Sequence, residues 1–242
     1  MRSPLTPNNQ PSNESPSDGS SLGRRLRGAV VVILSLASTL VPLSVGVAHA
    51  APAVAQQKGS VPQLDRVSWT ALMALEEISN GVTRVDRPPV LSAKYVALRT
   101  EVAALVARRL SISASGLSEA WARADAEHQI AVLAAVSQLG VPYRRFAMQP
   151  GVALDCSGLT TFAWGEAGFS LQRNSTQQMR SAEPRNILTA QAGDLVRYPG
   201  HIMMWLGSGL GVIHSPEPGR SVELKILGSY SLRRSSFGDP SE

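Results

Sequence analysis

Up to about residue 140 the apolar residues recur every three or four positions, whereas after Ala192-Gly193-Asp194 they alternate or run together in short, glycine-bounded stretches. That change of period predicts helices first and antiparallel strands afterwards, the pattern of an α+β fold and not of alternating βαβ units. Leu72, Leu75 and Ile78 recur around Trp69, predicting a helix over 67–79 that stops at Asn80-Gly81. Arg87-Pro88-Pro89 breaks the chain, and Ser92 then caps a second helix to about Leu110 whose stripe is Val96, Leu98, Val102, Leu105 and Val106. A third helix is expected from Ser118 to Leu139, ended by Gly140 and Pro142. The loop over 143–150 is read as irregular. Strands are expected over 195–198, 201–206, 211–214 and 221–227, with Gly207-Ser208-Gly209 turning the middle pair into a hairpin.

The N-terminal end carries an export pattern. Residues 1–23 are rich in Ser, Pro, Asn and Gly; Arg24, Arg25 and Arg27 then precede an uncharged run over 29–47 that ends in Ala48-His49-Ala50. A basic region, an apolar run and a small-x-small site make a secretory signal over 1–50, with cleavage expected after Ala50 and a secreted or wall-associated product. If the run were retained instead, 29–47 would tether the chain to a membrane. Beyond residue 50 there remain 19 basic and 16 acidic residues with no basic cluster interleaved with aromatics, so nucleic acid is not the expected partner. The expected organisation is a linker over 51–65, a helical segment over 66–112, a catalytic-type domain over 118–235 and a flexible polar tail over 236–242. The helical segment holds no cluster of chemically active residue types, and its protein partners stay unassigned.

One cysteine stands in 242 residues, in Asp155-Cys156-Ser157-Gly158. Leu159, Phe162 and Ala163 follow at helical spacing, which sets Asp155 near an N-cap and Cys156 in the first turn. Free backbone N–H groups and the helix dipole favour an anion there, so the thiol is either an activated nucleophile or a small buried apolar residue. A lone cysteine forms neither an internal disulfide nor a cysteine-rich zinc site, and no metal or cofactor is called for. A thiolate nucleophile needs an imidazole held by a third group. His49 belongs to the signal, and His128 reads as a surface or boundary residue on the third helix. A turn centred on Ser208-Gly209 sets Met203 across from His214, which leaves His201 and His214 as diagonal neighbours on one sheet face. A slip of one residue would separate them.

Asp155-Cys156-Ser157-Gly158-Leu159, Arg173-x-Ser175-x-x-Gln178, Gly193-Asp194-Leu195, Gly200-His201-Ile202 with Leu206-Gly207, and Ile213-His214 together resemble the NlpC (NlpC/P-sixty) family of bacterial cell-wall cysteine peptidases over about residues 120–235. The resemblance implies a papain-like α+β core, with the cysteine at a helix N-terminus packed on an antiparallel sheet that bears the histidine. It also implies a secreted peptidoglycan hydrolase cutting stem peptides between D-γ-glutamate and the diamino acid. Carried over by position, Cys156 is the nucleophile, His201 the general base and later acid, and His214 the group that orients the imidazole. Tyr143, Asp155 and Ser157 fall where the family binds the peptide. A related cysteine amidase or acyltransferase, or a degenerate wall-binding protein, would share these motifs. The chain departs from the family after Pro142-Tyr143, where Arg144-Arg145-Phe146 replaces the usual Trp-Gly-Gly.

Overall fold

The computed structural model describes residues 65–82 and 91–242. The expected signal over 1–50, nearly all of the linker over 51–65 and the break at Arg87-Pro88-Pro89 lie outside them. The helices α1 (Arg66–Val82), α2 (Ala93–Leu110), α3 (Ala114–Arg123) and α4 (Ala126–Ser137) come first. The short strands β1 (Met148–Gln149) and β2 (Ala153–Leu154) lead into α5 (Cys156–Glu166) and α6 (Ser175–Ser181). Then follow β3 (Glu183–Arg185), β4 (Leu195–Tyr198), β5 (His201–Trp205), β6 (Gly211–His214), β7 (Glu223–Ile226), α7 (Ser229–Arg233) and β8 (Ser236–Asp239).

The helix starts follow local capping chemistry. Asp65 Oδ1 accepts from the amides of Val67 and Ser68, and Ser92 Oγ from that of Tyr95, as expected for the second helix. On α1 the buried apolar residues are Val67, Ala71, Ala74, Leu75 and Ile78, while Trp69 and Leu72 face outward, so the inward stripe is rotated from the one expected around Trp69.

The single helix expected over 118–139 is two helices. Ser113 Oγ caps α3 at Gly116, and the chain leaves helical geometry at Ala124 and Asp125 (ψ 148° and 159°). Gln191 holds that break from 66 residues away: its Oε1 accepts from the Asp125 amide (3.2 Å) and its Nε2 donates to Asp125 Oδ2 (2.9 Å). Nothing in Ala124-Asp125-Ala126 itself demands a stop. Every residue of α4 from His128 to Ser137 is buried, as befits a helix apolar all round, and α1 and α5 pack against it. The helices over 66–110 therefore share one continuous core with α4, α5 and the sheet.

All pairings in the six-stranded sheet are antiparallel, in the order β3-β8-β4-β5-β6-β7. Met204 pairs with Ile213 and Trp205 with Val212, the register predicted from the turn. Alternation along the strands serves two cores. Leu195, Ile202, Met204 and Ile213 join the main core beneath the helices, while Val196, Met203, Trp205 and Val212 form a smaller one with Leu227 and Phe237. The tail expected to be flexible from 236 is instead strand β8, seated between β3 and β4. Its polarity misled, because Phe237 stacks edge-on against Trp205 and Asp239 bonds to Arg185 inside the fold.

Candidate active site

Asp155 does cap α5: its Oδ1 accepts from the Gly158 amide at 2.7 Å, which puts Cys156 at the first helical position. Gly158 is required there, since a Cβ would lie 2.2 Å from the carbonyl oxygen of Ala147. That same oxygen accepts from the Asp155 amide (3.0 Å) and from Arg173 (3.2 Å), so the segment after Tyr143 is stitched onto the helix start. Arg173 also donates to Asp155 Oδ2 and to Ser157 Oγ, both at 2.7 Å. The expected peptide-binding residues Asp155 and Ser157 are thus brought together by one guanidinium, which pairs with the carboxylate beside the thiol. Gln178, buried, holds the next turn by donating to the Ser157 carbonyl and to Thr161 Oγ1 while accepting from Thr160. Arg173 and Gln178 stood in the sequence motif without a role; their partners supply it.

His201 opens β5 and His214 closes β6, and their imidazoles meet: His201 Nε2 lies 2.8 Å from His214 Nδ1. The sulfur of Cys156 receives the amide of Ile202, the residue after His201, and is close to the amides of Ser157 and of Cys156 itself. The thiol therefore lies against the start of β5, the strand that His201 opens. Ser215, fully buried, donates to the Leu154 carbonyl (2.7 Å) and ties the end of β6 to the nucleophile segment. Tyr143 is half-buried between the same two parts, its amide donating to the Arg220 carbonyl at 2.8 Å and its backbone bridging Leu154. Burial first, then the charges of Cys156 and Asp155, push its hydroxyl pKa up, against the pull of Arg145.

Glu223 completes the line. It is the cross-strand partner of His214, and its Oε1 lies 3.2 Å from His214 Nε2, a buried atom with no other acceptor; the contact lies outside strict hydrogen-bond geometry, and Arg220 shares the same oxygen. With a proton on His214 Nε2 facing that carboxylate, His214 Nδ1 accepts from His201 Nε2–H and His201 Nδ1 is left as a free base; the opposite tautomer reverses the bond between the rings. The residue was findable in the alternation over 221–227 but not its facing, which depends on the β6–β7 register.

The electrostatics favour a neutral resting site. Burial, above all, raises the thiol pKa of Cys156 and Asp155 adds to it, while the nearby amides oppose. Burial lowers both histidines to about 4, with His214 and Lys225 contributing at His201, and Lys225 and Arg220 at His214. His201 is therefore unprotonated well below the ordinary histidine pKa of about 6.5. Two outcomes follow with the same sign. The acid limb of kcat/KM is expected below pH 5. Stability is expected to fall as pH drops from about 6.5 towards 4, because the unfolded chain takes up these protons first. Rate profiles and melting curves across pH 4–8 check both; an acid limb near 6.5 would contradict the buried, neutral pair.

His128 corrects the expectation of a surface position. It is fully buried, edge-on to Trp164, with Nε2 at 3.0 Å from Asp194 Oδ1 and 3.4 Å from Asp239 Oδ1. Burial pulls its pKa down, but the Asp194 bond and the charges of Asp239, Asp194 and Asp125 outweigh it and the net shift is upward. Among the described residues this is the one group whose ligand-type atoms lie within metal-binding reach, all within 4.8 Å. Asp239 already accepts from Arg185 and Ser241, and Asp194 from the Gln191 amide, so the carboxylates have protein donors throughout.

Residues 140–234 match the NlpC/P60 family. A Corynebacterium glutamicum protein named a probable endopeptidase is 32% identical over 146 residues, 57% of this chain and 68% of that protein. A Mycobacterium bovis probable endopeptidase is 30% identical over 118 residues, 46% of this chain, which spans only 30% of that relative's length. The solved peptidoglycan hydrolase RipB of Mycobacterium tuberculosis overlaps 72% of this chain and 82% of its own at 20% identity, with a TM-score of 0.44. With its matched segment carrying Cys156, His201 and His214, and its similarity running along two thirds of a curated relative, the chain belongs to the NlpC/P60 family.

Proposed function

We propose that this protein is an exported cysteine endopeptidase that cuts peptidoglycan stem peptides between D-γ-glutamate and the diamino acid. The observation that carries the reading is the hydrogen-bonded His201–His214 pair beside a cysteine at a helix N-terminus. His201 Nδ1 takes the thiol proton as the sulfur adds to the scissile carbonyl, forming the C–S bond. The resulting oxyanion is met by backbone N–H groups at the start of α5, which need no reorganisation to receive it. His201 then returns the proton to the leaving amine as the C–N bond breaks. Water, deprotonated by the same imidazole, releases the glutamyl acid from sulfur. His214 holds the ring in the productive tautomer, and the Glu223 carboxylate steadies the imidazolium formed in each half-reaction. The signal-like sequence over 24–50 supports export, and N-terminal sequencing of secreted protein should begin at Ala51.

The test is product identity. Peptidoglycan digested with the purified mature protein is expected to yield fragments bearing a new free amine on the diamino acid, read by mass spectrometry. Products cleaved elsewhere would replace the proposed bond with another amide, and their absence would remove the peptidase reading.

A further inference from the structure

We infer that Glu223 is a positioning residue of the catalytic site, which fixes the proton of His214 on Nε2 and so leaves His201 able to act as the base. The inference rests on the function proposed above and deepens it by naming what makes the base competent.

The pair of rings allows two proton arrangements. Each neutral imidazole carries one proton, and one of the two lies in the 2.8 Å contact between His201 Nε2 and His214 Nδ1. If His214 donates it, His201 keeps its own proton on Nδ1 and has no lone pair left for a thiol. If His201 donates it, its Nδ1 is free and the proton of His214 lies on Nε2. One arrangement is inert and the other is a base, so the group facing His214 Nε2 decides between them.

Glu223 is that group. The β6–β7 register sets it directly across from His214, with its Oε1 at 3.2 Å from His214 Nε2. His214 is 3% exposed, and its Nε2 is buried with no hydrogen-bond partner of strict geometry. A lone pair on that nitrogen would meet an anionic oxygen at a distance that leaves no room for water, whereas an N–H meets it favourably. Arg220 secures the ionised form of the acid. Its guanidinium binds the same oxygen, and its carbonyl accepts from the Tyr143 amide at 2.8 Å. Arg220 and Lys225, two residues on from Glu223 along β7, bring positive charge to the rings and resist a second proton on either. Glu223 itself is part-exposed on the edge strand and belongs to neither apolar core, so its replacement opens no cavity in them.

Two measurements on folded protein decide it: the tautomer of each histidine by nitrogen NMR without substrate, and steady-state kinetics on a stem peptide. Native protein is expected to show His201 and His214 both protonated on Nε2. Glu223→Gln, whose amide can donate to His214, should move the His214 proton to Nδ1. It should also lower kcat about tenfold or more with KM unchanged, the direction expected when an orienting carboxylate is lost. In a His214→Gln background there is no ring proton to place, and Glu223→Gln should change kcat less than about twofold. Glu217→Gln removes the other acid that Arg220 reaches, at 3.8 Å, and should leave tautomers and rate as in native protein. The inference is overturned by a His214 proton on Nδ1 in native protein, by an unmoved proton or a native kcat in Glu223→Gln, or by an equal loss in both backgrounds. Failure of native protein to cleave the peptide would overturn the peptidase reading and leave the tautomers to decide the role of Glu223.

Discussion

Replacing His201 with alanine is expected to lower kcat/KM on stem peptides by about 10²–10⁴-fold, the range that a positioned general base supplies. The loss should be near the upper end, because this thiol does not ionise easily without help. Burial and the Asp155 charge both raise its pKa, and a neutral imidazole is the group that must take its proton. A thousandfold loss corresponds to about 4 kcal/mol of transition-state stabilisation. The fold should survive, since His201 is half-buried at the start of β5 and belongs to neither apolar core. Steady-state kinetics beside a melting curve separate the two effects. Activity above a tenth of native in a folded His201→Ala protein would contradict its role as base.

His128→Ala is expected to cost about 3–5 kcal/mol of folding free energy, the scale of removing one partner from a buried ionic cluster. The cause lies in what is left behind. Asp194 and Asp239 are 0% and 1% exposed, and without the imidazolium they face each other with a cavity between them. Arg185 still reaches Asp239 at 3.0 Å, so the deficit should fall on the contact between α4 and the sheet and should loosen β8 first. The pH dependence carries a sign that distinguishes charge from packing. The folded pKa of His128 is raised, so its ionic contribution is complete below about 6.5 and is lost as pH rises through the folded value. The gap between native and variant should therefore narrow at alkaline pH. Urea unfolding at acid, neutral and alkaline pH reads this directly; a gap under 1 kcal/mol throughout would mean that the cluster does not stabilise the fold.

How far the fold could be read from residues depends on the range of the forces concerned. The α5 start was legible because its cap, Asp155, lies only three residues from the amide it serves. The β5–β6 register was legible because a tight glycine turn propagates along both strands, so His201 and His214 could be placed on one face from the sequence. Where distant partners decide, local pattern gave the wrong answer. The break between α3 and α4 is held by Gln191, and β8 is held by Arg185, His128 and Trp205, all remote in sequence. His128 looked like a surface residue because its acidic neighbours in sequence, Asp125 and Glu127, are not the acids it binds. The same limit applies at the site: Arg173 and Ser215 reach the residues flanking Cys156, and Glu223 reaches His214, through tertiary contacts that no spacing rule reports.

The central claim is that Cys156 is the nucleophile. Its most direct test is the release of stem-peptide fragments from purified wall by native protein and by Cys156→Ala, with folding of both checked by circular dichroism. Abolished release by a folded variant, against sustained release by native protein, is the predicted result. Undiminished release by Cys156→Ala would contradict it.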